Sequence, residues 1–258
     1  MGWNRPLANS SSLAVLGALL LAVAAFTWRP TGARALTARA SKAMVLFGSS
    51  SMKGIFGHVI AHDLEQLGFD VTRRGVVSAG LARPDFRDVP QILNTLPIVE
   101  RSTSVLLYLG VNDAKALWLR TEERSSRDNR PWLSWHDARW ESIYATRMVK
   151  LINSQCERGA QYTFVLPPAD VKRERLQLRL ERVRTVQQRA VKASKCGRYI
   201  STIGDRGRFE INGHSLRTRD GVHMNRTGAI RLWGRIRPHV LSVLGFSAPS
   251  GVRSEQQP

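Results

Sequence analysis

Ala43-Met44-Val45-Leu46-Phe47-Gly48-Ser49-Ser50-Ser51-Met52-Lys53-Gly54 is the stretch from which the rest of the chain can be read. Ala43–Phe47 is a continuous apolar run stopped by a glycine, the pattern of a strand covered on both faces. Met52–Leu67 then carries Ile55, Phe56, Val59, Ile60 and Leu64 on one helical face, with Gly68 as its stop. A buried strand running through a polar turn into an amphipathic helix is the first unit of a parallel α/β sheet.

The same alternation continues downstream. Asp70–Val77, Ser104–Leu109, Gln161–Leu166 and Arg198–Ile203 read as strands. Asp88–Leu96, Asp137–Cys156, Lys172–Lys195 and Asn225–Leu244 read as helices, the last capped by Asn225 or Thr227 and interrupted by Pro238. Between them, Lys115–His136 is charged, rich in tryptophan and longer than an ordinary strand-to-helix loop. The expected fold is a three-layer α/β/α sandwich on a mainly parallel five-stranded sheet, spanning residues 43–246 and followed by a polar, disordered tail at 247–258.

Sheets of this kind bind ligands at the carboxyl ends of their strands. Four polar blocks fall there: Gly48–Gly54, Ser78–Ala82, Gly110–Asp113 and Asp220–His223. Together they offer the parts of an acyl-transfer site. Ser50 stands at a helix start, where the helix field favours developing negative charge. Its hydroxyl needs a base, which His223 supplies, and Asp220, three residues earlier, can hold the imidazole in the required tautomer. The backbone N–H groups of Ser50 and Gly80 and the side-chain amide of Asn112 are candidate oxyanion donors, with Gly80 lacking a Cβ so that backbone can approach substrate.

Composition narrows the partners. There are 39 Lys+Arg against 20 Asp+Glu, a formal net charge of +19, which favours anionic partners. The densest basic run, Lys172 to Lys195, reads first as a solvated helix face. The absence of zinc-finger spacing or a basic-aromatic ribonucleoprotein motif argues against nucleic-acid binding as the main function. His58 and His62 have the i,i+4 spacing of metal ligands, but without an intervening glutamate or an evident third ligand they read as solvated helix histidines. Trp118, Trp132, Trp135 and Trp140 read as anchors of the long loop, with sugar stacking as the alternative. Arg83 and Asp85 read either as an organiser of the Gly80 loop or as a simple ion pair.

Leu13–Trp28 is an uncharged apolar run preceded by Arg5 and followed by small-x-small sites at Ala33–Ala35 and Ala38–Ala40. This is the pattern of an export signal, either cleaved or kept as a membrane anchor, so residues 1–42 are assigned as signal or anchor plus linker and the remainder is expected outside the cytoplasm. The two cysteines, Cys156 and Cys196, each precede a strand. A bridge between them would lie at the end of the sheet opposite the polar blocks.

In this order, Ser50, Gly80, Asn112 and His223, with Asp220, resemble the blocks of the SGNH (GDSL-type) hydrolase superfamily. Ser78-Ala79-Gly80-Leu81-Ala82-Arg83-Pro84-Asp85-Phe86 is similar to a bacterial cell-envelope branch filed as a domain of unknown function. The resemblance covers roughly Ala43 to Leu244. It implies a flavodoxin-like sandwich, a Ser50–His223–Asp220 triad, ester chemistry on an O-acyl group of an envelope carbohydrate or lipid, and no metal or organic cofactor. The family's usual Gly-Asp-Ser is here Gly48-Ser49-Ser50, which removes a carboxylate that orders the turn. Ser50 is the nucleophile by register with Gly48 and Gly54. The same triad would serve an O-acyltransferase, and the loss of aspartate at position 49 supports a third reading, a binding protein on a hydrolase fold.

Overall fold

A computed structural model describes residues 42–99, 101–203, 210–211 and 214–246. The apolar run 13–28, the rest of the stretch before Lys42 read above as signal or anchor plus linker, and the tail 247–258 lie outside the described residues.

The first strand, β1 (Ala43–Gly48), is paired in parallel with β2 (Asp70–Gly75) on one side and β3 (Thr103–Tyr108) on the other. β3 pairs with β6 (Thr163–Leu166), and β6 with β7 (Gly197–Tyr199), giving the order β2-β1-β3-β6-β7. The expected five-stranded parallel sheet is therefore present. Alternate residues of the continuous apolar strands go to opposite faces. Val45, Phe47, Val105, Leu107 and Val165 pack under α3 (Val89–Asn94), α4 (Trp140–Glu157) and α5 (Glu174–Lys192). Met44, Leu46, Leu106, Phe164 and Leu166 pack against α1 (Ser50–Lys53), α2 (Ile55–Gln66) and α6 (Arg226–Val243).

Several boundaries differ from the sequence reading, each for a local reason. The helix expected from Met52 begins at Ser50 and breaks at Gly54, whose backbone is extended. The long loop is not wholly irregular. Leu117–Trp118 (β4) and Trp132–Leu133 (β5) pair antiparallel within it. A second short antiparallel pair joins β8 (Glu210–Ile211) to β9 (His214–Ser215) before the last helix. The fifth sheet strand is short because, beyond Ile200, the Thr202 hydroxyl rather than backbone reaches the Pro167 carbonyl (2.9 Å).

α6 is not interrupted by Pro238 but runs through it. A proline inside a helix costs about 3 kcal/mol. Ile236, Val240 and Leu241 are buried around it, and each contributes roughly 1.5–3 kcal/mol, which outweighs that cost. Asn225 caps the helix, accepting from Gly228 N–H at 2.8 Å, and Thr227 is not the cap.

Cys156, late in α4, and Cys196, just before β7, form a disulfide with Cα atoms 5.8 Å apart. It sits at the amino ends of the strands, since the Cys196 carbonyl accepts from Thr163 N–H at the start of β6. The bridge closes a sequence separation of 40 residues. A loop of that length constrains the unfolded chain by about 4 kcal/mol. Replacing both cysteines by serine is expected to lower the unfolding free energy by roughly 2–4 kcal/mol in a denaturant titration. An unchanged midpoint would show that the bridge adds nothing to stability.

Candidate active site

The turn after β1 is built by close approach. A Cβ on Gly75 of β2 would lie 2.0 Å from the Lys53 backbone nitrogen, so only glycine lets α1 settle against the edge strand. Arg73, two residues earlier on β2, donates from Nη1 to the carbonyls of Met52 (2.9 Å) and Lys53 (2.8 Å) and so ties down the C-terminal end of α1. Its Nη2 is also 3.2 Å from His58 Nε2. Among the described residues no group of three metal-capable side chains is found.

This seat places Ser50 at the start of α1, with its Oγ 2.7 Å from His223 Nε2. Of the three adjacent serines, Ser49 is buried (3% exposed) and Ser50 is the one whose hydroxyl meets the histidine. The other ring nitrogen, Nδ1, lies 2.5 Å from Asp220 Oδ2. The carboxylate is itself fixed, because Oδ1 accepts from the N–H groups of Val222 (2.7 Å) and His223 (2.9 Å) and from the Thr218 hydroxyl (2.8 Å). Burial pushes the Asp220 carboxyl upward. The bonds from the His223 ring, from the two backbone N–H groups and from Thr218 outweigh it and hold the acid well below the usual carboxylate range. An ionised Asp220 accepts from Nδ1–H, which leaves Nε2 to accept the Ser50 proton.

The loop bearing this pair is anchored from the neighbouring loop. Lys172 N–H donates to the Gly221 carbonyl (2.8 Å) and Arg173 Nε to the Asp220 carbonyl (3.1 Å). Arg217, nearly buried, donates to the carbonyls of Val222 (3.1 Å) and Asp170. Gly221 itself has a positive φ of 72°.

The second and third blocks meet through one peptide. Asn112 Nδ2 donates to the Ala79 carbonyl at 3.0 Å, which fixes the Ala79–Gly80 peptide and hence the direction of the Gly80 N–H. Neither the Gly80 N–H nor the Ser50 N–H meets a hydrogen-bond partner among the described residues. Packing supplies a further reason for glycine at position 80. A Cβ there would lie 2.3 Å from Asp113 Oδ1. The Asp113 carboxylate thus occupies the space that a side chain at position 80 would need.

Asp113 went unrecognised as a functional position in the sequence. It is fully buried and accepts from Ala82 N–H (2.8 Å) while bonding the Tyr144 hydroxyl (2.9 Å). Burial raises its carboxyl above the usual range, against the lowering effect of the Ala82 N–H and Tyr144. Its placement organises the Gly80 loop. Arg147, another buried charge, reaches from α4 to the carbonyls of Leu81 (2.5 Å) and Trp118 (2.6 Å) and pairs with Glu123. With Trp118 N–H donating to the Ala82 carbonyl (2.8 Å), it fastens the β4–β5 pair to the Gly80 loop.

The four tryptophans divide by role. Trp140 is buried, stacks on Tyr144 and donates from Nε1 to the Lys115 carbonyl (2.8 Å), so it anchors the loop. Trp135 packs edge-on against it. Trp118 meets Trp132 edge to face, and Trp132 remains 44% exposed with the Arg83 guanidinium over its ring at 4.6 Å. Arg83 also makes a two-point pair with Asp85, both contacts at 2.8 Å.

Asn112→Ala is expected to separate oxyanion support from the triad. One Asn112 amide hydrogen holds Ala79, and the second is the candidate oxyanion donor. Loss of one such donor lowers kcat about 10²–10³-fold with little change in KM. Loss of the bond to Ala79 costs about 1 kcal/mol of stability. Turnover per folded molecule, measured beside the thermal midpoint, checks this. A normal turnover with a lowered midpoint would make Asn112 a structural residue only.

Residues 43–239 match the family described as "Protein of unknown function (DUF459)". No curated protein shows a significant match to the sequence. Among solved structures, the chain is similar to an enzyme described as an alpha/beta hydrolase from the metagenome of Lake Arreo, Spain, with TM-score 0.53 and 13% identity over 79% of this chain and 96% of that one. It is similar to a member of the lipolytic protein G-D-S-L family from Veillonella parvula DSM 2008, with TM-score 0.50 and 15% identity over 78% and 98% of the two chains. A catalytic mutant of an acetylxylan esterase from Geobacillus stearothermophilus gives TM-score 0.50 and 11% identity over 80% and 95%. At such identities the likeness is one of fold, and the fold is that of the SGNH hydrolases.

Proposed function

We propose, from the premise that this chain belongs to the DUF459 family of proteins of unknown function, that it is a serine esterase of SGNH type acting on O-acyl groups of a cell-envelope carbohydrate or lipid. The observation that carries this reading is the continuous path Ser50 Oγ to His223 Nε2 at 2.7 Å and His223 Nδ1 to Asp220 at 2.5 Å. Ser50 gives its proton to Nε2 as Oγ bonds to the ester carbonyl carbon. The carbonyl oxygen takes up the negative charge between the Ser50 and Gly80 N–H groups and the free Asn112 amide hydrogen. His223 returns the proton to the departing alcohol oxygen, leaving acyl-Ser50. Water then attacks by the same route and releases the acid.

A cavity of about 230 Å³ lies behind the Gly80–Leu81 turn, lined by Val89, Pro90 and Leu151 together with the charged residues Arg87, Arg120 and Lys150; Ser50, Asn112 and His223 do not line it. The paired cysteines support an extracytoplasmic location, since such bridges persist in oxidising compartments. The apolar run before residue 42 supports export on sequence grounds. Among the described residues no helix is long and apolar enough to cross a membrane.

A panel of p-nitrophenyl esters and O-acetylated polysaccharides, with a fluorophosphonate probe, tests the reading. The probe should label Ser50, and acyl release should follow chain length. No labelling and no release from any ester would end it. Transfer of the acyl group to an added sugar hydroxyl in preference to water would reassign the same triad to acyl transfer.

A further inference from the structure

We infer that a row of arginines at the start of α5 forms an anion subsite beside the triad, and that the ester substrate is an acidic polysaccharide. This rests on the esterase reading above and deepens it. Arg173, Arg175 and Arg179, with Glu174 and Leu176, line one exposed groove. The row is joined to the site at both ends. Arg173 Nε donates to the carbonyl of Asp220, the residue that holds His223, and Arg179 Nη1 donates to the carbonyl of Ala114, two residues after Asn112 (3.3 Å). Arg175 lies between them, four residues before Arg179 and so on the same helix face, about 6 Å along the axis. None of the three has an ion-pair partner among the described residues, and Glu174 is the one acid in the groove lining.

The basic residues further along α5 differ. Arg182 and Arg189 are paired with Glu141, and Lys195, just past the end of the helix, with Glu157. Arg182 and Arg189, which share one carboxylate, and Arg184 are thus ion-paired, whereas among the described residues Arg173, Arg175 and Arg179 are not. Guanidinium groups with free N–H edges match carboxylates two-point to two-point. A ligand that reaches both the row and Ser50 must carry repeated anionic groups and an O-acyl ester close together. A polymer of acidic sugars with acylated hydroxyls meets both demands. A nucleic acid has no carboxylic ester to offer. A phospholipid has one, but Leu176 is the only apolar side chain lining the groove, too little to receive lipid tails.

Binding to the full-length Ser50→Ala chain tests this without turnover. The probes are polygalacturonate, neutral xylan, vesicles containing phosphatidylglycerol, and a single-stranded DNA oligonucleotide. Polygalacturonate is expected to bind at low salt, to weaken about tenfold or more between 50 and 200 mM salt, and to exceed xylan. Adding Arg175→Glu with Arg179→Glu should weaken it by at least about tenfold. Adding Lys192→Glu with Lys195→Glu, the same charge change at and just beyond the far end of α5, should leave it within about twofold. Thermal midpoints establish that the variants are folded, and the Gln pair at 175 and 179 replaces the Glu pair if they are not. Equal losses from the two reversals would reduce the effect to net charge and overturn the proposal. So would salt-independent binding, equal binding of xylan, or tighter binding of vesicles or DNA than of polygalacturonate. Hydrolysis of p-nitrophenyl acetate by the unmodified chain reads the esterase proposal separately, so either can fail alone.

Discussion

Ser50→Ala is expected to lower kcat by about 10⁶-fold, with His223→Ala falling as far and the double variant scarcely further. The reason is that the two side chains act as one unit across a 2.7 Å contact. Without the hydroxyl there is nothing for His223 to deprotonate, and without the imidazole the hydroxyl is a poor nucleophile at neutral pH. The residual rate would come from the oxyanion donors and from binding. Folding should be nearly normal, since only the contact to a half-exposed imidazole is lost. Single-turnover kinetics on both single variants and the double variant check this. If Ser50→Ala kept more than a few per cent of wild-type turnover, the nucleophile would have to be sought elsewhere, and Ser49 is poorly placed because it is buried.

The second large effect belongs to Asp220→Asn, expected to lower kcat about 10⁴-fold with KM nearly unchanged. An asparagine can still accept from Val222, His223 and Thr218 at the oxygen that replaces Oδ1, so the loop should keep its shape. Its NH₂ group then faces His223 Nδ1, which must accept. The ring proton moves to Nε2, and the base that Ser50 needs is lost. The pH dependence follows from the depressed carboxyl. Its stabilising charge is present above the unfolded-state pKa and is lost only as pH falls through the lower folded value. Asp220 therefore contributes no ionisation step to the profile of kcat/KM through the weakly acidic and neutral range. Denaturant unfolding of the two proteins across pH checks the depressed carboxyl, and a stability difference between them that is lost already in weak acid, above the usual carboxylate range, would contradict it.

Much of this site was legible locally. Ser50, Gly80, Asn112 and His223 each follow a sheet strand or precede the last helix, and those elements announce themselves by apolar runs and helical spacing. Asp220 and His223 are three residues apart, close enough for one loop to bring them together. What was not legible were the charges that hold the loops. Arg73 looks like an exposed residue of an edge strand, yet it fastens α1. Arg147 looks like part of the polar side of a helix, yet it is buried against two loop carbonyls. Asp113 looks like a turn residue, yet it is the group that makes Gly80 necessary. Periodicity reports which way a side chain faces along its own element, and none of these three has its partner there.

Read along the chain alone, the residues fix the parallel sheet, the end of it at which the polar blocks gather, and the opposite end at which the cysteines lie, while the bridge between them is a property of the folded molecule. These follow from strand length, helix faces and the position of each residue before or after its strand. The tertiary structure decided which of three adjacent serines meets the histidine, through a contact between residues 173 positions apart. It also decided that Asn112 spends one hydrogen on Ala79, and that Arg173, the residue before α5, donates to the carbonyl of Asp220. The physical reason is the same in each case. Backbone and hydrophobic periodicity are encoded over a few neighbouring residues, whereas a hydrogen bond between two loops exists only once the packed layers have fixed the distance between them.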